Sequence, residues 1–217
     1  MRHLRLLLLL TLMLTLHAAQ GFGNQNPGDS SAPEPSTLGF YFGAACAHFA
    51  GGSSAPWGSR YGPDMGAYAD FGMTDLLSLQ LDMAYISKGA RKEELYINVV
   101  RKLQLAGDIR LGYVQFAVLA RMDQPRSRFR DERNIQPKLL GGFAISTLVE
   151  TTSRGLVEEE IPHFRDTELS LVFGGGFDYR VWGRRAVTFD FRFDLGLSNI
   201  YADWSSNTAR FLVGMTL

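Results

Sequence analysis

The stretch Val187–Ser198 reads VTFDFRFDLGLS. Val187, Phe189, Phe191, Phe193, Leu195 and Leu197 share one parity, and Thr188, Asp190, Arg192, Asp194, Gly196 and Ser198 share the other. Successive side chains of a β-strand point to opposite faces, whereas a helix would scatter this apolar set around its whole circumference. The segment is therefore predicted to be one long strand with an apolar face and a polar face.

The same alternation extends outward in both directions. Leu169, Leu171, Phe173, Gly175, Phe177 and Tyr179 alternate with Glu168, Ser170, Val172, Gly174, Gly176, Asp178 and Arg180, and Phe211, Val213, Met215 and Leu217 alternate with Arg210, Leu212, Gly214 and Thr216. Nearer the N-terminus, Met65 to Met73 and Leu77 to Tyr85 behave alike, and Leu38 to Phe49, Leu111 to Met122 and Lys138 to Thr147 are further strand segments. Eight strands result, with no amphipathic helix of more than a few turns. The connections Ala50–Asp64, Gly89–Asp108, Val149–Thr167 and Asn199–Thr208 read as long, and Thr74–Leu76 and Trp182–Ala186 read as short. Long loops at one end, short turns at the other and an even strand count are the pattern of an outer-membrane barrel. A closed barrel also pairs every backbone group within lipid. The expected fold is all-β: an eight-stranded antiparallel up-and-down transmembrane β-barrel with short periplasmic turns and longer extracellular loops.

Alternation alone leaves open which face points inward, since a soluble ligand-binding barrel is apolar within. Gly174, Gly176, Gly196 and Gly214 share the polar face with Asp190, Arg192 and Asp194, while the other face carries bulky Phe and Leu. Small barrels fill a crowded interior with their own side chains, so the face rich in glycine and charge is assigned to the lumen. Asp70, Asp82, Arg121, Asp190, Arg192 and Asp194 are then expected to form a lumenal network of carboxylates and arginines, because buried charges need partners. Tyr179, Trp182, Tyr201 and Trp204 are expected at an aromatic girdle.

The N-terminus supplies the export signal. Arg2 and Arg5 precede an apolar run from Leu6 to Leu16, and Ala19-Gln20-Gly21 gives a small-residue close, the make-up of a secretory signal peptide over residues 1–21. That run is too short for a spanning helix, which needs about 20 residues. Residues 22–37, with Pro27, Gly28, Pro33 and Pro35, read as a polar linker, leaving 38–217 for the barrel. The location that follows is the outer membrane of a Gram-negative bacterium. The single cysteine, Cys46, permits no intramolecular disulfide and lies too late for a lipoprotein anchor.

Composition excludes other classes. The chain has 22 Lys and Arg against 22 Asp and Glu, so no basic surplus exists to neutralise nucleic-acid phosphates. Catalysis would have to use His48 or His163, the only histidines after the leader, and neither has a Ser or Asp at a telling sequence spacing. Glu158, Glu159 and Glu160 read as a solvated acidic loop, and Arg126, Arg128, Arg130 and Arg133 as a charged periplasmic turn. No catalytic, cofactor-binding or metal-binding motif is identified.

Three segments carry a family resemblance. Tyr113 to Arg121 (YVQFAVLAR), Leu79 to Ala90 (LQLDMAYISKGA) and Phe191 to Ile200 (FRFDLGLSNI) resemble strands of the PorT-type outer-membrane β-barrel family, small porin-like proteins of Bacteroidetes. Gln115, Ala117 and Arg121 stand where that family carries Glu, Pro and Lys, and Leu217 ends a chain whose relatives end in Phe or Trp. The resemblance covers Leu38 to Leu217. It implies a barrel with a structural, loop-mediated binding or secretion-associated role, since some members are linked to type IX protein secretion. Expected partners are outer-membrane lipid and periplasmic or secretion-system proteins, the protein being monomeric and free of cofactors and nucleic acid. The alternatives are an outer-leaflet lipid-modifying enzyme of the lipid A deacylase kind, a narrow channel and a soluble periplasmic ligand-binding barrel.

Overall fold

The computed structural model describes residues 37–50, 57–74, 76–98, 101–123, 134–154, 164–182, 185–200 and 204–217. The signal segment, linker residues 22–36, His163, the Glu158–Glu160 triplet and the arginines between 126 and 133 lie outside them, while Thr37, expected as the end of the linker, opens the first strand. Eight strands follow in order: β1 (Thr37–Ala50), β2 (Trp57–Gly72), β3 (Leu77–Asn98), β4 (Arg101–Asp123), β5 (Ile135–Arg154), β6 (Thr167–Trp182), β7 (Arg185–Gly196) and β8 (Ser205–Thr216). Each pairs antiparallel with the next, and β8 returns to β1 from Gly39↔Thr216 to Ala50↔Ser205, closing the barrel.

The burial pattern is the reverse of a soluble protein's. Phe42, Phe143 and Phe211 are 64%, 58% and 59% exposed on the outside, while Arg192 and Arg210 are each 1% exposed within. An apolar band this extensive on an isolated chain marks contact with a lipid or protein surface. Outward aromatic pairs knit neighbouring strands: Phe173 and Phe193 are 5.3 Å apart, Phe177 and Phe189 5.0 Å, and Phe191 and Phe211 4.9 Å. Each is a direct cross-strand pair, the unit through which sheets gain side-chain stabilisation.

Inside, glycine makes room for tyrosine. Tyr41 lies opposite Gly66 and Tyr68 opposite Gly39. A Cβ at Gly66 would stand 2.6 Å from the Tyr41 hydroxyl, and one at Gly39 would collide with the Tyr68 ring. The two tyrosines thus lie over their glycine partners and stack with centroids 6.4 Å apart.

Two expectations change at the extracellular end. Much of Ala50–Asp64 and Gly89–Asp108, expected as loops, is strand: β2 starts at Trp57, while β3 and β4 are 22 and 23 residues long. A register shift between Ser59 and Asp64, another at Gly112/Tyr113 and a positive φ of 155° at Gly89 break the period-two phase there. The alternation vanishes from the sequence although the pairing continues. The loop lengths consequently do not alternate, since two residues separate β3 from β4 but 124–134 separate β4 from β5 at the periplasmic end. Extracellular reach is carried by strands. β7 also stops at Gly196, two residues before the expected end.

Candidate functional site

Most inward positions follow from strand parity, and the lumen can be built layer by layer from the periplasmic end. Arg121 of β4 donates to Asp70 at 2.8 Å and to Asp178 at 2.7 Å, and also pairs with Asp123 at 2.9 Å. Lys138 of β5 bridges Asp178 at 2.8 Å and Asp190 at 2.9 Å and bonds the Thr188 hydroxyl. One layer up, Arg192 pairs with Asp190 at 2.9 Å and with Asp82 at 2.6 Å. Asp82 also accepts from the Tyr41 hydroxyl at 2.5 Å and from Gln80 at 3.1 Å.

Above Tyr41 lies Arg210 of β8. It binds Asp64 through two nitrogens at 2.6 and 3.1 Å, donates to Gln115 at 2.7 Å and stands 3.5 Å from Asp194. Bidentate pairing of this kind fixes a guanidinium in geometry as well as charge. The uppermost fully buried ion pair is Lys88–Glu168 at 3.0 Å. Over it Phe49, Ala90, Ile109, Leu111, Tyr113, Ile200 and Trp204 form an apolar cluster, with Leu148 and Phe164 against its edge. The lumen is a column of ion pairs under a hydrophobic cap.

All six charged residues singled out in the sequence lie on the inner wall, each no more than 9% exposed. Asp70 with Arg121, and Asp82 and Asp190 with Arg192, come together; Asp194 meets Arg210 and Gln115 instead. Sequence reasoning omitted Asp64, Lys88, Lys138, Glu168, Asp178 and Arg210. Glu168, Asp178 and Arg210 sit on the polar parity of strands already recognised, so carrying that parity through would have found them. Asp64 fell in a segment read as loop, and Lys88 lies between the expected strand end at Tyr85 and the expected loop start at Gly89.

One girdle residue is relocated. Trp204 is 4% exposed and belongs to the internal cap, because β8 begins beside it and turns its ring inward. Tyr179 does face outward, at 43% exposure, whereas Tyr201 and the Trp182 side chain lie outside the description. Cys46 is half-buried and unbonded. His48 is exposed on the outer face, where Nδ1 lies 3.5 Å from Ser59 Oγ, at the limit of a hydrogen bond, and among the described residues no carboxylate is bonded to the ring. Among the described residues no group of three His, Cys, Asp or Glu side chains converges as a metal site would.

A polar interior, a lipid-type exterior and closure without edges are the properties of a transmembrane barrel, and the chain matches the family model described as Outer membrane protein beta-barrel domain over residues 19–202. The chain belongs to this family. As a member of the outer membrane protein beta-barrel domain family, it resides in the outer membrane of a Gram-negative bacterium. Among solved structures, Neisserial surface protein A is similar at 13% identity and a TM-score of 0.51, over 85% of this chain and 99% of that one. OprG from Pseudomonas aeruginosa is similar at 11% identity and a TM-score of 0.52, over 86% and 95%. At such identities the likeness is one of fold. No protein of curated function matches the sequence.

Proposed function

We propose that this outer-membrane barrel is a non-conducting, non-enzymatic scaffold that acts by presenting its extracellular end to a binding partner. The observation that carries the reading is the β3–β4 ribbon. It continues past the last rungs shared with β2 and β5, at Trp57↔Lys92 and Asp108↔Arg154, to Asn98↔Arg101. Among the described residues no rung pairs this extension with β2 or β5, and exposed strand edges are templates for added strands. The filled lumen supports the other half of the reading, since ion pairs and an apolar cap occupy the interior among the described residues.

Replacing residues 93–106 by a two-residue turn should leave a heat-modifiable barrel. It should also abolish adducts formed in whole cells by a photo-reactive residue placed at position 96 of the full-length protein. A full-length protein that forms no adduct, or unitary conductance steps in planar bilayers, would refute the reading. His48→Ala is expected to leave lipid A composition unchanged; a change would restore the lipid-modifying alternative.

The finer kinship to PorT-type barrels, with its periplasmic or secretion partners, rests on the wording of Leu79–Ala90 and Phe191–Ile200. Loss of type IX cargo secretion in a deletion strain would support it, and normal secretion would remove it. Export by a signal peptide cleaved after Gly21 fits the sequence of residues 1–21 and is checked by N-terminal sequencing of the mature protein. A monomer in contact with outer-membrane lipid completes the proposal.

A further inference from the structure

We propose that the upper lumen binds one alkali cation between β6, β7 and β8, held by free oxygens of Asp194, Glu168 and Ser170. Two independent observations lead there. The first is charge: the buried residues include seven carboxylates, Asp64, Asp70, Asp82, Glu168, Asp178, Asp190 and Asp194, against five cations. In the upper layer the direct ion pairs of Asp64, Glu168 and Asp194 among the described residues are with Lys88 and Arg210. Arg210 is engaged bidentately by Asp64, and Lys88 by Glu168 Oε2. Asp194 keeps the Gln115 amide at 2.9 Å and a weak 3.5 Å approach to Arg210. One negative charge in this layer lacks a counter-charge, a strongly unfavourable state in a buried site.

The second observation is a set of unsatisfied oxygens on neighbouring inward positions of β6 and β7. Asp194 Oδ1, Glu168 Oε1 and Ser170 Oγ are buried with no hydrogen-bond partner, and all three residues are 0% exposed. Ser170 lies opposite Gly196, and Asp194, two residues before that glycine, lies between Val172 and Thr208. Gly196 lets these groups approach closely: a Cβ there would be 3.1 Å from Glu168 Oε1 and would collide with the Ser206 carbonyl oxygen at 2.6 Å. On the β8 side the Ser206 and Thr208 hydroxyls lie 3.5 Å apart. Hard oxygen donors of this kind suit hard cations. The deficit of one charge selects a monovalent ion, and water would satisfy the oxygens without balancing the charge.

The test uses the intact barrel refolded in detergent micelles. Its urea midpoint is measured at equal ionic strength in sodium, potassium, rubidium and N-methyl-D-glucamine chloride. A ligand bound only by the native state raises stability with its concentration, so the midpoint should be higher in at least one alkali salt than in N-methyl-D-glucamine chloride. Asp194→Asn removes the uncompensated charge and should abolish that difference. Ser170→Ala should raise the half-saturating salt concentration several-fold. In crystals grown in the preferred alkali salt, an ion should refine beside Asp194 Oδ1, with an anomalous peak if that ion is rubidium. Equal midpoints in all four salts would overturn the proposal, as would cation dependence that persists in Asp194→Asn. A midpoint that follows pH and ignores cation identity would assign the missing charge to a proton and overturn it too. If Asp194→Asn does not fold, the wild-type salt series and the crystal decide.

Discussion

The two faces of β7 meet two different solvents. Outward, Phe189, Phe191 and Leu195 stand 39%, 47% and 36% exposed, while inward Asp190, Arg192 and Asp194 are 7%, 1% and 0% exposed. The polar face is the more buried of the two, which inverts the rule for a soluble sheet. An apolar side chain facing lipid needs only the right polarity, whereas a charge facing the lumen needs a partner at a set distance. Inner positions should therefore be intolerant of change, and outer positions tolerant of any change that keeps them apolar.

Arg192→Met should break this asymmetry most severely. It leaves Asp82 and Asp190 without their shared guanidinium, for which a loss of about 4 kcal/mol in unfolding free energy is expected, measured by urea titration of the reconstituted barrel. Adding Asp82→Asn to the same chain should recover part of that loss, which separates the cost of a stranded charge from lost packing. Trp204→Ala empties the cap and should cost about 3 kcal/mol by the same measurement. Phe191→Arg, on the outer face of the same strand, should cost about 2 to 3 kcal/mol through the price of a charge in lipid. Gly66→Ala, which intrudes on the Tyr41 ring, should cost about 1 to 2 kcal/mol. Phe191→Leu, apolar for apolar toward lipid, should change stability by less than about 1 kcal/mol. A larger loss for Phe191→Leu than for Gly66→Ala would reverse the comparison between the faces.

Legibility in the sequence followed the same division. Wherever a strand stays in phase, as in β7 and most of β6, each residue's parity states its face, and the charged inner positions can be listed without coordinates. Phase fails where the backbone departs from a flat ladder. Ile86 through Ala90 are all buried, because the sheet bends at Gly89 and both of its faces are covered there. Lys88 was hidden for that reason, and with it the topmost fully buried ion pair. Asp64 was hidden by the irregular pairing that begins just before it on β2. Trp204 was misplaced on a different ground: an aromatic at a strand end carries no sign of whether it looks out to the membrane interface or back into the barrel. The partners within the lumen were beyond reach as well. Arg192 and Asp82 are 110 positions apart in the chain, and only the curvature of the closed sheet sets them across from one another.

The seam between β1 and β8 carries a further consequence, in the order of events by which the molecule forms. Gly39 pairs with Thr216, and Tyr68 bonds the Thr216 hydroxyl at 3.3 Å, so the first strand waits for the last. Contacts this distant in sequence are entropically slow to make, because nearly the whole chain is the loop being closed. Until they form, β1 and β8 each have an open edge, and the arginines and aspartates destined for the lumen have no enclosed space in which to meet. Lipid insertion and ring closure are therefore coupled, because an open edge or an unpaired lumenal charge is costly in lipid.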